Sequence, residues 1–195
     1  MVNLSTKLIR RLYYEEELST LEIAAKLDIT PWIVLKFMKK MNLPRRSFKQ
    51  ANTKRFEKKP ITFLLKKNLS AREKELKIAG IMLYWEEGNK ANHENGIDFA
   101  NSEPRMIKLF LRFLRDICEV DEKRLRVYLY CYADQNIDEV KRYWRQITNI
   151  HFPQFTKPYI RKDFLAKKSG KMKHGLAHIR YSDKKLFLQI VNWVE

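Results

Sequence analysis

The stretch Arg124–Tyr132 alternates strongly, and this pattern constrains the fold more than any other feature of the sequence. One set of positions is apolar and the other is basic or aromatic: Leu125, Val127, Leu129 and Cys131 alternate with Arg126, Tyr128, Tyr130 and Tyr132. Successive side chains of a β-strand point to opposite faces, so the pattern predicts a strand with one buried face and one aromatic, partly basic face. Further strands are predicted at residues 97–102, 155–161 and 175–181.

Between these strands, apolar residues recur at helical spacing. The spacing predicts helices over residues 71–87, 104–117, 137–147 and 184–194. Helices that alternate with short strands predict an α+β domain over residues 71–195. In this domain an antiparallel or mixed sheet carries its helices on one face.

The first part of the chain has a different organisation, which predicts three short helices. Ser19 and Glu22 have the spacing of a capping box at the start of the second helix, and Pro31 stands at the first position of the third. A tight turn at residues 28–30 separates these two helices. Three short helices joined in this way describe a small all-α helix-turn-helix domain over residues 1–48.

The pattern Leu18-Ser-x-x-Glu-Ile-Ala-x-x-Leu27, followed by Ile29 and Val34, resembles the helix-turn-helix of bacterial and archaeal DNA-binding proteins. The resemblance implies that Ala24 lets two helices cross closely and that the third helix lies in the major groove of DNA. The side chains that would reach bases or phosphates are Trp32, Lys36, Lys39 and Lys40. The alternatives are a core position for Trp32 and a solvated helix face for the lysines.

A strongly basic segment follows this domain. Arg45–Pro60 has Glu57 as its only acid, and Pro60 marks a change of pattern. We therefore expect residues 49–70 to form a basic arm that follows DNA phosphates, and the alternative is a flexible linker. Residues 61–65 are apolar enough to dock on one of the two domains. DNA contacts in and beside this segment are predicted at Arg45, Arg46 and Lys49.

The net charge of +17 and the pI near 9.9 predict a polyanionic partner, and we expect double-stranded DNA. No run of about 18 apolar residues is present, so no membrane partner is expected. Cys118 and Cys131 lack the spacing of a metal site, which predicts two buried, reduced thiols in a cytoplasmic, nucleoid-associated protein. The histidines also lack metal-ligand spacing and are expected at the surface or in the sheet: His93, His151, His174 and His178.

The helix within Ile78–Lys90 ends in two carboxylates and a glycine. Gly80, Tyr84 and Glu87 share one helix face, and Gly88 is predicted to end the helix in the left-handed conformation. Such a helix would present Glu87 at the mouth of a tightly packed helix pair, where a carboxylate can hold a divalent metal ion. The alternative is a buried amphipathic helix whose terminal acids are solvated.

The segment Gly80–Gly88, followed by alternating short strands and helices in a basic protein, resembles the LAGLIDADG homing endonucleases. Glu87 and Gly88 match the acid–glycine pair that closes their motif. Tyr84 and Trp85 depart from it, because they are bulkier than is usual in a tight helix pair.

The resemblance implies that the sheet lies along the DNA major groove. It also implies that Glu87 and Gly88 hold Mg²⁺ near the scissile phosphate, where the metal activates a water. Lys90 and Lys157 are the candidates for a basic catalytic residue beside it. Contacts from the sheet to bases or backbone are expected at Arg126, Tyr128, Arg161 and Arg180.

The motif occurs once, which leaves two arrangements open. Two chains pair as a homodimer through the helix at 71–88, or the chain carries a degenerate second copy, in which Tyr143–Trp144 echoes Tyr84–Trp85. The functions that remain open are metal-dependent cleavage of duplex DNA and transcriptional regulation by a catalytically inactive DNA-binding protein of the same architecture. A third is RNA binding on a stacking surface at Tyr128–Tyr132.

Overall fold

The chain divides into two compact units, Met1–Pro60 and Ile61–Glu195. The computed structural model describes residues 4–91, 94–161 and 172–194. It contains helices and a four-stranded mixed sheet, which confirms the predicted α+β class. Within these ranges, no helix is both long enough and apolar enough to cross a membrane.

Four helices form the described part of the first unit. Serine side chains open three of them, because Ser5, Ser19 and Ser47 each accept a backbone N–H bond that the helix cannot satisfy itself. Glu22 and Gln50 complete capping boxes at the second and third of these serines. The helices are α1 (Thr6–Arg10, continued by a π-helical turn at Arg11–Glu15), α2 (Thr20–Lys26), α3 (Pro31–Lys40) and α4 (Phe48–Glu57).

The core of this unit is built largely from residues of the helix-turn-helix pattern. Ile23, Ala24 and Val34 are buried in one cluster, and Leu27 and Ile29 are half-buried against it. The turn between α2 and α3 is closed by Asp28, whose φ of 52° is a left-handed value that aspartate tolerates better than most residues. Trp32 lies outside the core, with 64% of its surface exposed. The core alternative for this tryptophan is therefore wrong.

The residues expected to form a basic arm fold as a helix instead. Besides its capping box, α4 carries Lys54 and Lys58, whose ammonium groups lie 2.8 Å from a Glu17 carboxylate oxygen and 3.2 Å from one of Glu22. The first pair links α4 to the segment between α1 and α2, and the second links the residue that follows α4 to α2. The helical unit therefore extends to Pro60, and the prediction of an arm or flexible linker over 49–70 is corrected for its first part.

The second unit follows the predicted order of elements. Its third strand is shorter than expected, because Pro158 cannot donate a hydrogen bond to a neighbouring strand. The elements are α5 (Ala71–Glu87), β1 (Ile97–Asn101), α6 (Pro104–Arg112, continued by a π-helical turn at Phe113–Ile117), β2 (Leu125–Tyr132), α7 (Ile137–Thr148), β3 (Tyr159–Arg161), β4 (Leu176–Tyr181) and α8 (Lys184–Asn192).

The sheet has the strand order β1-β4-β2-β3. β4 pairs antiparallel with both β1 and β2, and β2 pairs parallel with β3. Burial alternates along β1, β2 and β4, as the period of two predicts. The buried face packs with residues of the helices into one hydrophobic core that includes Tyr84, Phe99, Phe110 and Trp144. The other face carries the polar and aromatic set.

Residues 61–66 dock on the second unit, as their apolar character predicts. Phe63 and Leu65 pack against its core. The backbone N–H groups of Leu64 and Lys66 donate to the carbonyls of Cys118 (3.2 Å) and Ile117 (3.0 Å). The segment is thereby held along the end of the π-helical turn that follows α6.

Both cysteines are buried and free, as predicted. Burial raises the pKa of the Cys118 thiol to about 12 and also raises the pKa of Cys131. A thiol that stays protonated at neutral pH is a poor nucleophile and a poor metal ligand. Both side chains therefore have a packing role in the hydrophobic core.

Candidate nucleic-acid interface

The outer surface of α3 combines an aromatic side chain with positive charge. Val34 and Met38 hold the inner side of α3 in the core. Lys36 places its ammonium 4.8 Å from the centre of the Trp32 ring, which is a cation–π distance. A groove of about 590 Å³ runs beside these side chains and is also lined by Lys39 and by Arg45.

Arg46 does not belong to this surface. Its guanidinium donates to the carbonyl oxygens of Tyr13, Glu17 (3.4 Å) and Leu18 (3.2 Å), and it lies 4.2 Å from the centre of the Tyr13 ring. The backbone N–H of Arg46 donates to the Tyr13 hydroxyl at 2.9 Å. The guanidinium of Arg46 therefore supplies hydrogen bonds to the carbonyls at the end of the first helix. This corrects the prediction that Arg46 contacts DNA. Arg45, Lys49 and Lys40 are exposed.

A cleft of about 630 Å³ opens in the second unit where α5 meets the sheet. Gly88 pairs with Phe99 as an isolated bridge, and the N–H of Asn89 donates to the carbonyl of Asp98 at 2.9 Å. These bonds fix the end of α5 against β1 and place the exposed Glu87 at the cleft. The cleft is lined by side chains from three strands and the turns beside them, including Asp98, Ala100, Tyr130, His178 and Arg180.

Gly88 and Lys90 have structural roles at this helix end. Gly88 is extended, with φ −79° and ψ 147°, so the predicted left-handed stop is wrong. A glycine is needed here because an added Cβ would lie 2.5 Å from the carbonyl oxygen of Tyr84. Lys90 donates to the carbonyls of Trp85 and, at 3.2 Å, Gly88, which caps the helix and offsets the negative end of its dipole. Its ammonium is therefore committed to α5.

Asp98 bridges two side chains of β4, His178 and Arg180. One carboxylate oxygen lies 2.8 Å from Nδ1 of His178, and the other accepts from Nε of Arg180 at 2.8 Å. Burial works to raise the pKa of Asp98, but the hydrogen bond from His178 and the charges of both partners outweigh it and hold that pKa below its ordinary value. Nε2 of His178 is buried and has no partner among the described residues.

His178 was not among the predicted site residues, and the sequence offered little signal for it. It lies 80 positions from Asp98 along the chain, and only the register of β1 against β4 brings the two side chains together. Alternation in β4 could show that His178 and Arg180 share a face. It could not show which strand lies alongside.

The side of the sheet opposite the core carries a row of rings, which we call the aromatic face: Tyr128, Tyr130, Tyr159 and His178. Ring centres are separated by 5.1 Å for Tyr130 and Tyr159, 4.6 Å for Tyr130 and His178, and 5.6 Å for Tyr128 and His178. The guanidinium carbon of Arg180 lies 4.2 Å from the centre of the Tyr128 ring. Arg126 and Arg161 are exposed on the same side of β2 and β3. All four predicted sheet residues thus fall on one surface: Arg126, Tyr128, Arg161 and Arg180.

Lys157 does not join Glu87. It precedes β3, at one edge of the sheet, whereas Glu87 adjoins β1 at the other edge. The prediction that Lys157 assists Glu87 within one chain is therefore corrected.

The carboxylates of the cleft differ in how many hydrogen bonds they already accept from other residues of the chain. Asp98 uses both oxygens for His178 and Arg180, and Glu94 accepts from the side chain of Asn89 at 2.7 Å. Glu87 is exposed at the same cleft. Among residues 4–91, 94–161 and 172–194, no three His, Cys, Asp or Glu side chains are grouped as metal ligands. A metal ion at Glu87 would therefore need further ligands from water, phosphate or another chain.

An apolar stripe on α5 is exposed. Ile78, Met82 and Trp85 recur at spacings of four and three, and they are 63%, 54% and 45% exposed. The opposite side of α5 holds the buried Gly80 and Tyr84. Gly80 thus packs inside the chain, against Phe113, while the stripe stays exposed.

The repeated Tyr–Trp pair, at Tyr84–Trp85 and Tyr143–Trp144, differs in which residue is buried. Tyr84 is buried and Trp85 is exposed, whereas in α7 the buried member of the pair is Trp144, whose Nε1 donates to the carbonyl of His174 at 2.6 Å. The two pairs therefore face the core with different members. This difference gives no support to a degenerate second copy.

No protein-family model matches the chain, and the searches of curated proteins and of solved structures found no match either. The resemblances to helix-turn-helix proteins and to LAGLIDADG endonucleases therefore stay predictions. A functional conclusion has to come from the two surfaces themselves: the exposed side of α3 and the cleft with its aromatic face.

Proposed function

We propose that the protein binds double-stranded DNA through α3. The observation that carries this proposal is the exposure of Trp32 on the first turn of a helix whose other side is anchored in the core. In a helix-turn-helix protein, the first turns of the second helix approach base edges in the major groove. Trp32 and Lys36 occupy that part of α3, and Lys39 follows one turn later.

The charges beside α3 fit a duplex backbone. Lys36, Lys39, Lys40, Arg45 and Lys49 are all exposed, and the chain as a whole carries +17. Each lysine or arginine that contacts a phosphate releases condensed counterions, which makes binding depend strongly on salt. The proposed complex therefore weakens steeply as salt rises. Such a role places the protein with the nucleoid in the cytoplasm.

The test is fluorescence anisotropy of a labelled duplex library titrated with the full chain at several salt concentrations. We expect Trp32→Ala to weaken duplex binding by roughly tenfold, since truncating a tryptophan anchor in an interface commonly costs more than about 1 kcal/mol. Lys36→Ala is expected to reduce the slope of log K against log salt by about 0.9. Lys7→Ala, an exposed lysine on α1, is the matched control. Equal losses for Lys7→Ala and Lys36→Ala would contradict a role specific to α3.

Cleavage of the bound DNA is a second candidate function, supported by the position of Glu87 at the cleft. Mg²⁺ is commonly held by one or two carboxylates and completed by waters and substrate phosphates. One chain supplies Glu87, and a second chain could supply another. We propose that the apolar stripe of α5 forms this homodimer, because burying Ile78, Met82 and Trp85 removes exposed apolar surface from water.

The cleavage proposal is tested by a nicking assay with Mg²⁺ on the same duplex library. Wild type should nick DNA and Glu87→Gln should not, while Glu86→Gln, an exposed neighbour, should remain active. Sedimentation should give a dimer for wild type and a monomer for Met82→Glu. A wild-type protein that binds duplex DNA and never cuts it would leave the alternative function, a DNA-binding transcriptional regulator.

A further inference from the structure

The side of the sheet opposite the core displays flat rings together with arginine side chains. Tyr130 and Tyr159 are 38% and 51% exposed. Their ring centres lie 5.1 Å apart on neighbouring strands, and His178 continues the row beside Tyr130. A contiguous patch of exposed aromatic side chains often marks an interaction site.

We infer that this aromatic face binds the unstacked bases of a single-stranded nucleic acid, a function beyond the duplex contact proposed for α3. Aromatic side chains on a sheet bind single strands because every base has a face that can stack on a ring. Bases in a duplex are already stacked and offer only their edges in the grooves, which are read by bidentate polar side chains. Tyrosine rings suit the first kind of partner better than the second.

Positive charge surrounds the rings, as a phosphate backbone requires. Arg126 and Arg161 are exposed on the same side of the sheet, and Arg180 lies over Tyr128. The guanidinium of Arg180 is held at Nε by Asp98, so its direction is set before any ligand arrives. An ordered cation beside stacked rings favours a strand whose phosphates run past its bases.

The cleft adjoins the aromatic face, because Tyr130 and His178 line both. Ala100 faces His178 across the β1–β4 pair, and its small side chain leaves the floor of the cleft open beside Tyr130. Glu87 lines the same cleft and offers a carboxylate that can accept hydrogen bonds. A base that leaves the row can therefore enter the cleft and have its edge contacted there.

The test measures the full chain against single strands of about 16 nucleotides at about 150 mM salt. The ligands are an oligothymidine strand, the equivalent oligouridine strand, and an abasic strand with the same phosphates and no bases. We expect the abasic strand to bind at least tenfold more weakly than oligothymidine. Oligothymidine and oligouridine both carry the proposed chemistry, and tighter binding of one would identify DNA or RNA as the natural source.

Matched variants separate stacking from charge. Tyr130→Ala and Tyr159→Ala should each weaken binding of the single strand by about fivefold or more, whereas Tyr130→Phe keeps the ring and should bind like wild type. Phe152→Ala removes another exposed aromatic side chain of the same unit and should change nothing. Duplex affinity should be unaffected by the tyrosine variants, so that failure here is distinct from failure of the α3 proposal. Equal affinity for abasic and base-bearing strands, or no effect of either tyrosine truncation, would overturn the inference.

Discussion

Gly80 of α5 lies directly against Phe113 at the start of the π-helical turn that follows α6. A Cβ built on Gly80 would lie 2.5 Å from the Cβ of Phe113, well inside van der Waals contact. The helices thus approach each other closely because residue 80 has no side chain. This contact, made within one chain, is the tight helix pair of the second unit.

Gly80→Ala sets two opposing effects against each other. In an unconstrained helix, alanine would stabilise by roughly 0.5–1 kcal/mol, but here its methyl group would overpack Phe113, at a cost of about 1–3 kcal/mol. We expect net destabilisation, measured by urea unfolding followed through tryptophan fluorescence, since Trp144 is buried in this unit. Lys74→Ala, at an exposed position of α5 outside the apolar stripe, is the control and should change the free energy of unfolding by less than about 0.5 kcal/mol. A more stable Gly80→Ala protein would refute the close packing.

Arg45 and Arg46 should respond oppositely to truncation. Arg46→Ala leaves the carbonyls of Tyr13 and Leu18 without their donor, so we expect a loss of about 1–3 kcal/mol in the stability of the first unit. The measurement is hydrogen exchange of the amides in α1–α3. Arg45→Ala should leave that exchange unchanged and weaken duplex binding. If both variants lost only DNA affinity, the structural role of Arg46 would be excluded.

The capping box at α2 should make stability depend on acid. Hydrogen bonds from the Ser19 backbone and side chain, aided by Lys58, lower the pKa of Glu22 from 4.5 to about 2. A carboxyl whose folded pKa lies below its unfolded value stabilises the fold above pH 4.5 and loses this contribution as pH falls towards 2. We expect Glu22→Gln to cost under about 1 kcal/mol at neutral pH, because the group is largely exposed. The difference from wild type should vanish near pH 2.

The measurement for this variant is the urea midpoint at several pH values. Glu15→Gln, at an exposed glutamate of the same unit, is the control and should show no difference that disappears with acid. A Glu22→Gln difference that stayed constant from neutral pH to pH 2 would contradict the proposed linkage.

Asp98→Asn should loosen the side chains that it now holds. An amide presents one acceptor, so it cannot accept from both His178 and Arg180, and we expect a loss of about 1–3 kcal/mol at neutral pH. Because the pKa of Asp98 is lowered in the fold, its contribution is complete above the ordinary value of 3.8 and declines as pH falls through the lower, folded value. The difference between variant and wild type in urea unfolding should shrink accordingly. Glu75→Gln on α5 serves as the control, and an equal effect there would remove the special role of Asp98.

Local patterns determined most of the secondary structure. The alternation at 124–132, the capping box at Ser19 and the helical spacing of 71–87 depend on nearby residues alone, and each became the expected element. The π-helical turns after α1 and α6 and the shortness of β3 had no such signal. Residues 49–57 are helical although their charge is typical of an arm, because Ser47 and Gln50 form a capping box that starts the helix.

The roles of single side chains were decided by tertiary structure. Arg45 and Arg46 are identical neighbours in the sequence, yet one lines a groove and the other closes a helix, because only Arg46 comes within reach of the Tyr13 and Leu18 carbonyls. Asp98 and His178 became partners through strand register, which no local pattern encodes. The spacing of apolar residues along the chain involves only nearby residues, so helices and strands can be predicted from the sequence. The partners of a carboxylate such as Asp98 come from distant segments of the chain. These segments meet only in the folded structure, so the sequence alone does not show the contact.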